Sequence, residues 1–503
     1  MMAAEHMARG YPLRGLLEGI VEVAPGQDRD VTGVAMDSRQ IEPGGLFMAC
    51  RTTHGSGIPY IDDAVRAGAC AVVAEADGTP ELPACAVPLF RVGDLYRKAG
   101  VIADRYFGHP SRDLAVIGIT GTNGKTTISH LLAQSLSGEG AVDCGLIGSL
   151  GYGPLTDLEP GPNTTPDAVT LHQLLAGMRD RKFRYAIMEA SSHGLDQQRV
   201  AGVVFAMGIF TNLSRDHLDY HGDMAGYARA KRSLFTDFPV RKAVINLDDQ
   251  TGRSLIPLID AGTETIGFTL GEPVAAGRNI PIVRGDVQAD RPGALAMHVI
   301  TPWGEGDLAS RLTGRFNASN LLACVAALCL LNYSLERVCE WLSRCHGVPG
   351  RLERFGGGHK PLVFVDYAHT PDALAQVLMS LKPLCPGRLV CVFGCGGGRD
   401  SGKRPLMGAV AESCADAVIL TTDNPRMEDP QAIIQDILKG MRHPAAARVE
   451  VDREAAIAAA ICSATADDIV LIAGKGHERY QEAGGQRRPF SDQQIVRRQL
   501  GTG

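Results

Sequence analysis

The sequence predicts an α/β protein of three domains: a central P-loop-type parallel-sheet domain flanked by a small N-terminal α/β domain and a C-terminal Rossmann-like domain. Three observations carry this prediction. An apolar, β-branched run, Leu114–Ile119, breaks into a glycine-rich loop and then into residues with apolar positions at helical spacing. A set of short strand and helix patterns precedes that run. A second set follows a Pro/Gly segment, Gly347–Val348–Pro349–Gly350–Arg351, and its strand patterns end in polar residues, as in a doubly wound sheet. The boundaries read as 1–111, 112–347 and 348–503.

Composition sets limits. A chain of 503 residues suits two to four domains, and 45% hydrophobic residues give ample core. The net charge of −6 leaves no basic footprint, so no nucleic-acid partner is expected. No apolar run reaches the roughly 18 residues of a membrane span, and the opening MMAAEHMARGYPLRGLL lacks the apolar core of a signal peptide. Thirteen Cys, scattered mainly through stretches such as Leu322–Ala323–Cys324, suit reduced core thiols and a cytoplasmic location. Cys391 and Cys395 stand too isolated for a zinc site.

In the first domain, strand patterns at Val31–Arg39 and Pro43–Ala49 precede an amphipathic helix, Tyr60–Ala69. Asp37–Ser38–Arg39 alone is an ordinary turn after a strand.

The second domain opens on the strand and glycine loop. Backbone N–H groups of such a loop and the positive end of the following helix bind phosphate. In that geometry Lys125 reaches the β- and γ-phosphates and the Thr126 hydroxyl ligates Mg²⁺. The usual pattern has Gly five residues before Gly124; this chain has Ile119. Cys144–Ser149 reads as the next strand. Asn163–Thr164–Thr165–Pro166 reads as a loop entering a helix, with Pro in its first turn. Strand Tyr185–Glu189 ends in a carboxylate, where open parallel sheets bind ligands, so Glu189 is a candidate Mg²⁺ ligand. Strand Val203–Phe210 runs into Thr211–Gly222, whose Asp216, His217, Asp219 and His221 suggest a second cation or a proton-handling site. Helix Ala225–Phe235 carries Lys231, in isolation a solvated charge. A strand at Val244–Asp249 follows. Residues 255–312 read as antiparallel strands, and Gly314–Asn320 caps an apolar helix, Leu321–Leu331.

In the third domain, four strand patterns (Pro361–Asp366, Leu389–Gly394, Ala417–Thr422 and Asp468–Ala473) open into Tyr367–Asp372, Gly396–Arg404, Asp423–Arg426 and Gly474–Glu478.

With these motifs in place, the chain resembles the Mur ligases, ATP-dependent amide-forming enzymes of peptidoglycan precursor synthesis, over essentially its whole length. Gly121, Thr122, Asn123, Gly124, Lys125, Thr126 and Thr127 resemble the family's ATP loop, which accounts for Ile119. Glu189–Leu195, Asn212–His221 and Asp366–Asp372 are similar to its other signatures. Asp423–Asn424–Pro425–Arg426 resembles the motif of members that add diaminopimelate; lysine-adding members differ there.

The resemblance implies that ATP phosphorylates the D-glutamate γ-carboxylate of UDP-N-acetylmuramoyl-L-alanyl-D-glutamate. The amine of meso-2,6-diaminopimelate then attacks the acyl phosphate. It also implies catalytic roles for Lys125, Glu189, His217 and Lys231. Mg²⁺ would be held by Thr126 and Glu189, and a second ion near His217 and a carbamylated Lys231. Asn317, Arg351 and Asp366 match positions that hold adenine, phosphates and ribose. Ser38, Thr164, Thr165, Ser191, Gln197 and Arg199 match contacts to the UDP-sugar peptide, whereas Arg51–Thr52–Thr53–His54 departs from the family pattern. Arg399, Asp423, Asn424, Pro425, Arg426, Gly474 and Glu478 match the diaminopimelate site. Arg426 suits a two-pronged bond to the substrate's far carboxylate; Asp423 and Glu478 suit its ammonium. The expected protein is a monomer whose domains close about residues 347–350.

Three other readings are an L-lysine-adding member, a folylpolyglutamate synthase-like ligase, and an ATP-dependent switch. The full domain before the phosphate loop and the Asp423–Arg426 motif weigh against the folylpolyglutamate synthase-like reading, and the motif against the lysine-adding one. A switch leaves Lys231 and the third-domain arginines without a purpose.

Overall fold

A computed structural model describes residues 10–52, 55–78, 82–137, 144–272 and 278–501. Three main sheets follow one another along the chain. In the first, β1 (Gly33–Ala35), β2 (Gly45–Ala49), β3 (Ala71–Glu75) and β4 (Leu89–Val92) are parallel and lie in that order. β2 and β3 are buried along their whole length, as parallel strands covered on both faces are. Helix α1 (Leu95–Tyr106) covers one face with Leu95, Ala99, Ile102 and Ala103. The expected helix at 60–69 is shorter, Ile61–Arg66, because the chain turns at Gly68 with φ +105°. The turn at Asp37 forms as read, with its carboxylate accepting from Arg39 N at 3.0 Å.

The middle of the chain builds a ten-stranded sheet. Its elements are β5 (Ala115–Thr120), α2 (Lys125–Leu136), β6 (Cys144–Gly148), β7 (Gly151–Pro154), α3 (Ala168–Asp180), β8 (Tyr185–Glu189), β9 (Phe205–Phe210), α4 (Met224–Thr236), β10 (Lys242–Asn246), β11 (Glu264–Thr269), β12 (Ile282–Arg291), β13 (Ala294–Thr301), β14 (Gly304–Ser310) and α5 (Arg315–Leu330). The strand order is β7-β6-β8-β5-β9-β10-β11-β12-β13-β14. The antiparallel strands read from residues 255–312 are present as β12–β14. They do not stand apart: β12 pairs in parallel with β11 and so extends the same sheet.

Two helix starts differ from the sequence reading. α3 begins at Ala168, not at Pro166, because the Asp167 carboxylate caps it, accepting from Val169 N and Thr170 N. α5 begins at Arg315, so Asn317 and Asn320 lie inside the helix. Their amides are satisfied there: Asn317 Nδ2 donates to Thr313 O at 2.8 Å, and Asn320 Nδ2 to Asn317 Oδ1 at 3.1 Å. From Asn320 to Leu330 every residue of α5 is buried, between the sheet and α2.

The third sheet has the order β15-β16-β20-β17-β18-β19, with β15 (Glu353–Gly356), β16 (Leu362–Asp366), β17 (Leu389–Phe393), β18 (Ala417–Leu420), β19 (Arg448–Val449) and β20 (Ile469–Ala473). Only β15 is antiparallel to its neighbour. Cys391 and Cys395 are buried in its core. A hairpin of β21 (Tyr480–Ala483) and β22 (Gln486–Pro489) follows.

Arg453, at the start of helix α6 (Arg453–Ser463), is fully buried. It makes a two-pronged pair, 2.8 Å on each arm, with buried Asp492 at the start of α7 (Asp492–Leu500), and donates to Ala473 O at the end of β20. Arg453→Ala is expected to cost about 3–5 kcal/mol by stranding Asp492. Both Trp, 303 and 341, lie outside this sheet, so the readout is amide hydrogen exchange at α6 and α7. Unaltered protection there would refute the estimate.

Candidate active site

Four residues, Gly121–Gly124, connect β5 to α2. Ile119 is buried inside β5, so the glycine of the longer loop pattern would fall within a strand and weaken it. Gly121 (φ +144°) and Gly124 (φ +88°) are required: an added Cβ would stand 1.8 Å from Thr211 Oγ1 and 2.5 Å from Asn320 Oδ1. Asn212 grips the loop, its Oδ1 accepting from Asn123 N and its Nδ2 donating to Asn123 O. Lys125 Nζ donates to the carbonyls of Gly121 and Thr122, each at 2.9 Å. Desolvation lowers its pKa.

A cavity of about 560 Å³ opens over this loop. Thr122–Thr127, Thr164, Glu189, Ser191, His217, Asn317, Arg351 and Asp366 line it, so the structure brings the phosphate-loop, Mg²⁺ and nucleotide candidates together, with Thr164 and Ser191 of the sugar-peptide set. Asp366 is anchored by two backbone donors, Leu352 N at 2.6 Å and Ala368 N at 2.7 Å. Arg351 lies 4.4 Å from the centroid of the Tyr367 ring and donates to Thr126 Oγ1 at 3.0 Å.

Glu189 is buried at the end of β8. Its carboxylate accepts from Thr126 Oγ1 at 3.1 Å, Ser149 N at 2.9 Å and Ser149 Oγ at 3.2 Å. A hydroxyl and a carboxylate beside a helix N-terminus fit Mg²⁺, which takes few protein ligands and leaves the rest to phosphate and water. Among the described residues, no three His, Cys, Asp or Glu side chains group as a cation cage.

Lys231 is not the solvated charge that its position in isolation suggests. It is fully buried behind the loop, because it shares a face of α4 with Tyr227 one turn earlier. Its Nζ donates to Gly121 O at 2.7 Å and lies 4.4 Å from the Tyr227 ring centroid. Desolvation, then the charge of Lys125, lowers its pKa well below the usual lysine range, favouring the free amine.

His217 has φ +53°, uncommon outside glycine, and its ring meets His193 edge-on at 4.8 Å. Desolvation is the main cause that lowers its pKa and keeps the ring neutral. Asp216 beside it faces His369, in the loop after β16, at 3.8 Å, and Arg215 reaches Asp400 at 3.4 Å.

The remaining contacts attributed to the sugar peptide form two groups. Thr165 Oγ1 joins Glu189 O, at 2.7 Å, to Ser191. Arg199 holds Gln197 Oε1 by two nitrogens and donates to Thr165 O, and Gln197 Nε2 donates to Tyr220 OH. Ser38 sits apart on its turn in the first sheet, outside the cavity lining. Thr53 and His54 fall outside the described residues.

A separate cluster sits at the C-terminal ends of the third sheet's strands. Asp423 and Asn424 are buried after β18. Gly474 has φ +113°, and a Cβ there would lie 2.5 Å from Asp423 Oδ2. Arg426 adopts φ +54°, held by two backbone bonds to the hairpin: Arg426 N donates to Glu482 O and Gly484 N to Arg426 O. Its NH1 donates to Gly397 O at 2.6 Å. Arg399 is exposed on the glycine loop after β17.

Comparison with known proteins gives the family. The Mur ligase family catalytic domain model matches residues 30–107, the Mur ligase middle domain 119–328, and the Mur ligase glutamate ligase domain 350–476. The UDP-N-acetylmuramoyl-L-alanyl-D-glutamate–2,6-diaminopimelate ligase of Chromobacterium violaceum is 49% identical over 93% of this chain and 94% of its own. The chain belongs to the Mur ligase family.

The Pseudomonas aeruginosa protein of the same name is 47% identical over 95% of this chain and 97% of its own. A solved structure of a ligase with that name is 35% identical, covers 98% of this chain and 99% of its own, and has a TM-score of 0.69. Mur ligases are ATP-dependent, and the three matched models follow the three sheets in order. Within this Mur ligase, sequence reading missed Tyr227, whose hydroxyl lies 3.1 Å from Thr122 Oγ1, and Ser149, which fixes Glu189. The one-turn spacing from Lys231 was a signal for Tyr227; Ser149 carried none. The hairpin behind Arg426 was also missed.

Proposed function

We propose that this chain is the ligase that joins meso-2,6-diaminopimelate to the D-glutamate γ-carboxylate of UDP-N-acetylmuramoyl-L-alanyl-D-glutamate, with ADP and phosphate as co-products. The observation that carries the reading is the Asp423–Arg426 loop: two buried polar residues and a strained arginine at the ends of parallel strands, where open sheets bind ligands. The names of relatives 47–49% identical point the same way. On this reading residues 1–111 bind the UDP-sugar, 112–347 bind ATP, and 348–503 bind the amino acid.

In the first step the γ-carboxylate attacks the γ-phosphorus of ATP, an acyl phosphate forms and ADP leaves. The backbone of Gly121–Gly124, the α2 N-terminus and Lys125 would hold the phosphates in line. Arg351 and Asp366 would hold the nucleotide from the third domain. Mg²⁺ on Thr126 and Glu189, with a second ion at His217 and a carbamate of Lys231, would neutralise charge on the transferring group. The free amine of Lys231 suits carbamate formation: its nitrogen bonds the carbon of CO₂ and loses a proton. In the second step the diaminopimelate amine attacks the acyl carbon, and the tetrahedral intermediate expels phosphate. Closure about residues 347–350 would exclude water, which would otherwise hydrolyse the acyl phosphate.

The test is a mass-spectrometric product assay with the protein, ATP, Mg²⁺, the UDP-dipeptide and equimolar meso-diaminopimelate and L-lysine. A product carrying only diaminopimelate is expected. A lysine product would overturn the specificity, and ATP hydrolysis with no amide product would overturn the reaction.

A further inference from the structure

Lys475 is fully buried just beyond β20, and the reaction above gives it no part. Its Nζ donates to Asn424 Oδ1 at 2.9 Å and to Glu478 Oε2 at 3.0 Å. The same Glu478 oxygen accepts from Asn424 Nδ2 at 2.7 Å, and Asn424 Oδ1 accepts from Glu482 N at 3.0 Å. The three side chains therefore form a closed ring of hydrogen bonds under the amino-acid site. A lysine has donors only, and so does the backbone N–H of Glu482. Both must meet the oxygen of the Asn424 amide, which turns its NH₂ to Glu478. A flipped amide would set donors against donors. The Tyr480 ring, its centroid 5.6 Å from Nζ, closes the remaining side.

We propose that Lys475 is a positioning residue for the amino-acid substrate. It fixes the Asn424 amide and holds Glu478 by one oxygen, Oε2, so that Oε1 is left for the substrate ammonium. This rests on the diaminopimelate reading of the site. Lys475 touches neither substrate nor nucleotide; it acts through Asn424 and Glu478. An asparagine alone could orient Glu478 but could itself rotate. The buried lysine, bonded to both Asn424 and Glu478, removes that freedom.

The test is steady-state kinetics of Lys475→Met, Glu478→Gln and the double variant, with each substrate varied in turn. In Lys475→Met the KM for diaminopimelate should rise about ten- to hundred-fold, the loss expected for hydrogen bonds to a charged group, while the KM for ATP and for the UDP-dipeptide stays within about twofold. In the Glu478→Gln background, Lys475→Met should add little. Effects that simply multiply, or a KM rise shared by all three substrates, would mean a structural role only and overturn the proposal. If Lys475→Met does not fold, Lys475→Gln, neutral but able to donate to Asn424, carries the same comparison. A wild-type protein that makes no diaminopimelate product would instead overturn the reading of the site, so the two failures are distinct.

Discussion

Arg426→Ala should lower kcat/KM for diaminopimelate by roughly 30- to several-thousand-fold, the 2–5 kcal/mol that follows from truncating one partner of a buried charge pair. The KM for ATP should hold. The reason is structural isolation. Arg426 belongs to a cluster on the third sheet, outside the lining of the cavity over the phosphate loop. Its backbone conformation is strained, and the hairpin bonds at Glu482 and Gly484 hold it there. One guanidinium nitrogen is committed to Gly397 O; the planar fork keeps donors for a carboxylate. Glu482 Oε2 stands 4.0 Å from its Nε, too far for a close bond. Arg426→Lys should fail nearly as badly, because a point charge cannot copy a two-pronged bond. Equal loss of affinity for ATP and diaminopimelate would refute the assignment.

The second large effect is expected at Lys231. Lys231→Ala should lower kcat by about 10²–10³-fold, the size seen when one preorganised charge-stabilising group is lost. Lys231→Arg is the sharper variant. It keeps a positive charge, yet a guanidinium does not form a carbamate, so its loss should match that of alanine. In CO₂-depleted buffer the wild type should lose activity and regain it on adding bicarbonate; both variants should show neither response. Circular dichroism must show each variant folded, since the side chain is fully buried. A Lys231→Arg protein with normal kcat would remove the carbamate from the mechanism.

How much of this was legible in the sequence depended on distance along the chain. β5, the glycine loop and α2 are contiguous, so the phosphate site could be read directly. The third sheet's four inner strands, β16, β17, β18 and β20, were legible because they are largely buried and end in polar residues; its edge strands β15 and β19 are exposed or half-exposed and gave no such pattern. The edge of the central sheet was not, because the pairing of β11 with β12 depends on contacts that no local pattern encodes. Lys231 shows the same limit from the other side. Local sequence makes it a solvated helix residue; only its packing against the loop at Gly121, 110 residues away, turns it into a buried amine. The hairpin was illegible for a different reason: one strand is largely half-buried and the other exposed, with no buried alternation to announce them.

On the proposed reading of the Asp423–Arg426 cluster as the amino-acid site, the crowding at Gly474 bears on how the amine preference can change by mutation. Any side chain at 474 would drive into the Asp423 carboxylate and would also have to accept a left-handed backbone. That wall is therefore closed to single-step variation. A lineage, or a designer, seeking a different amine must work from the opposite side, at Arg426 and the hairpin residues that set its backbone. Changes there enlarge or recharge the site without breaking the strand beneath it, so drift in specificity should concentrate at those positions while 474 stays fixed.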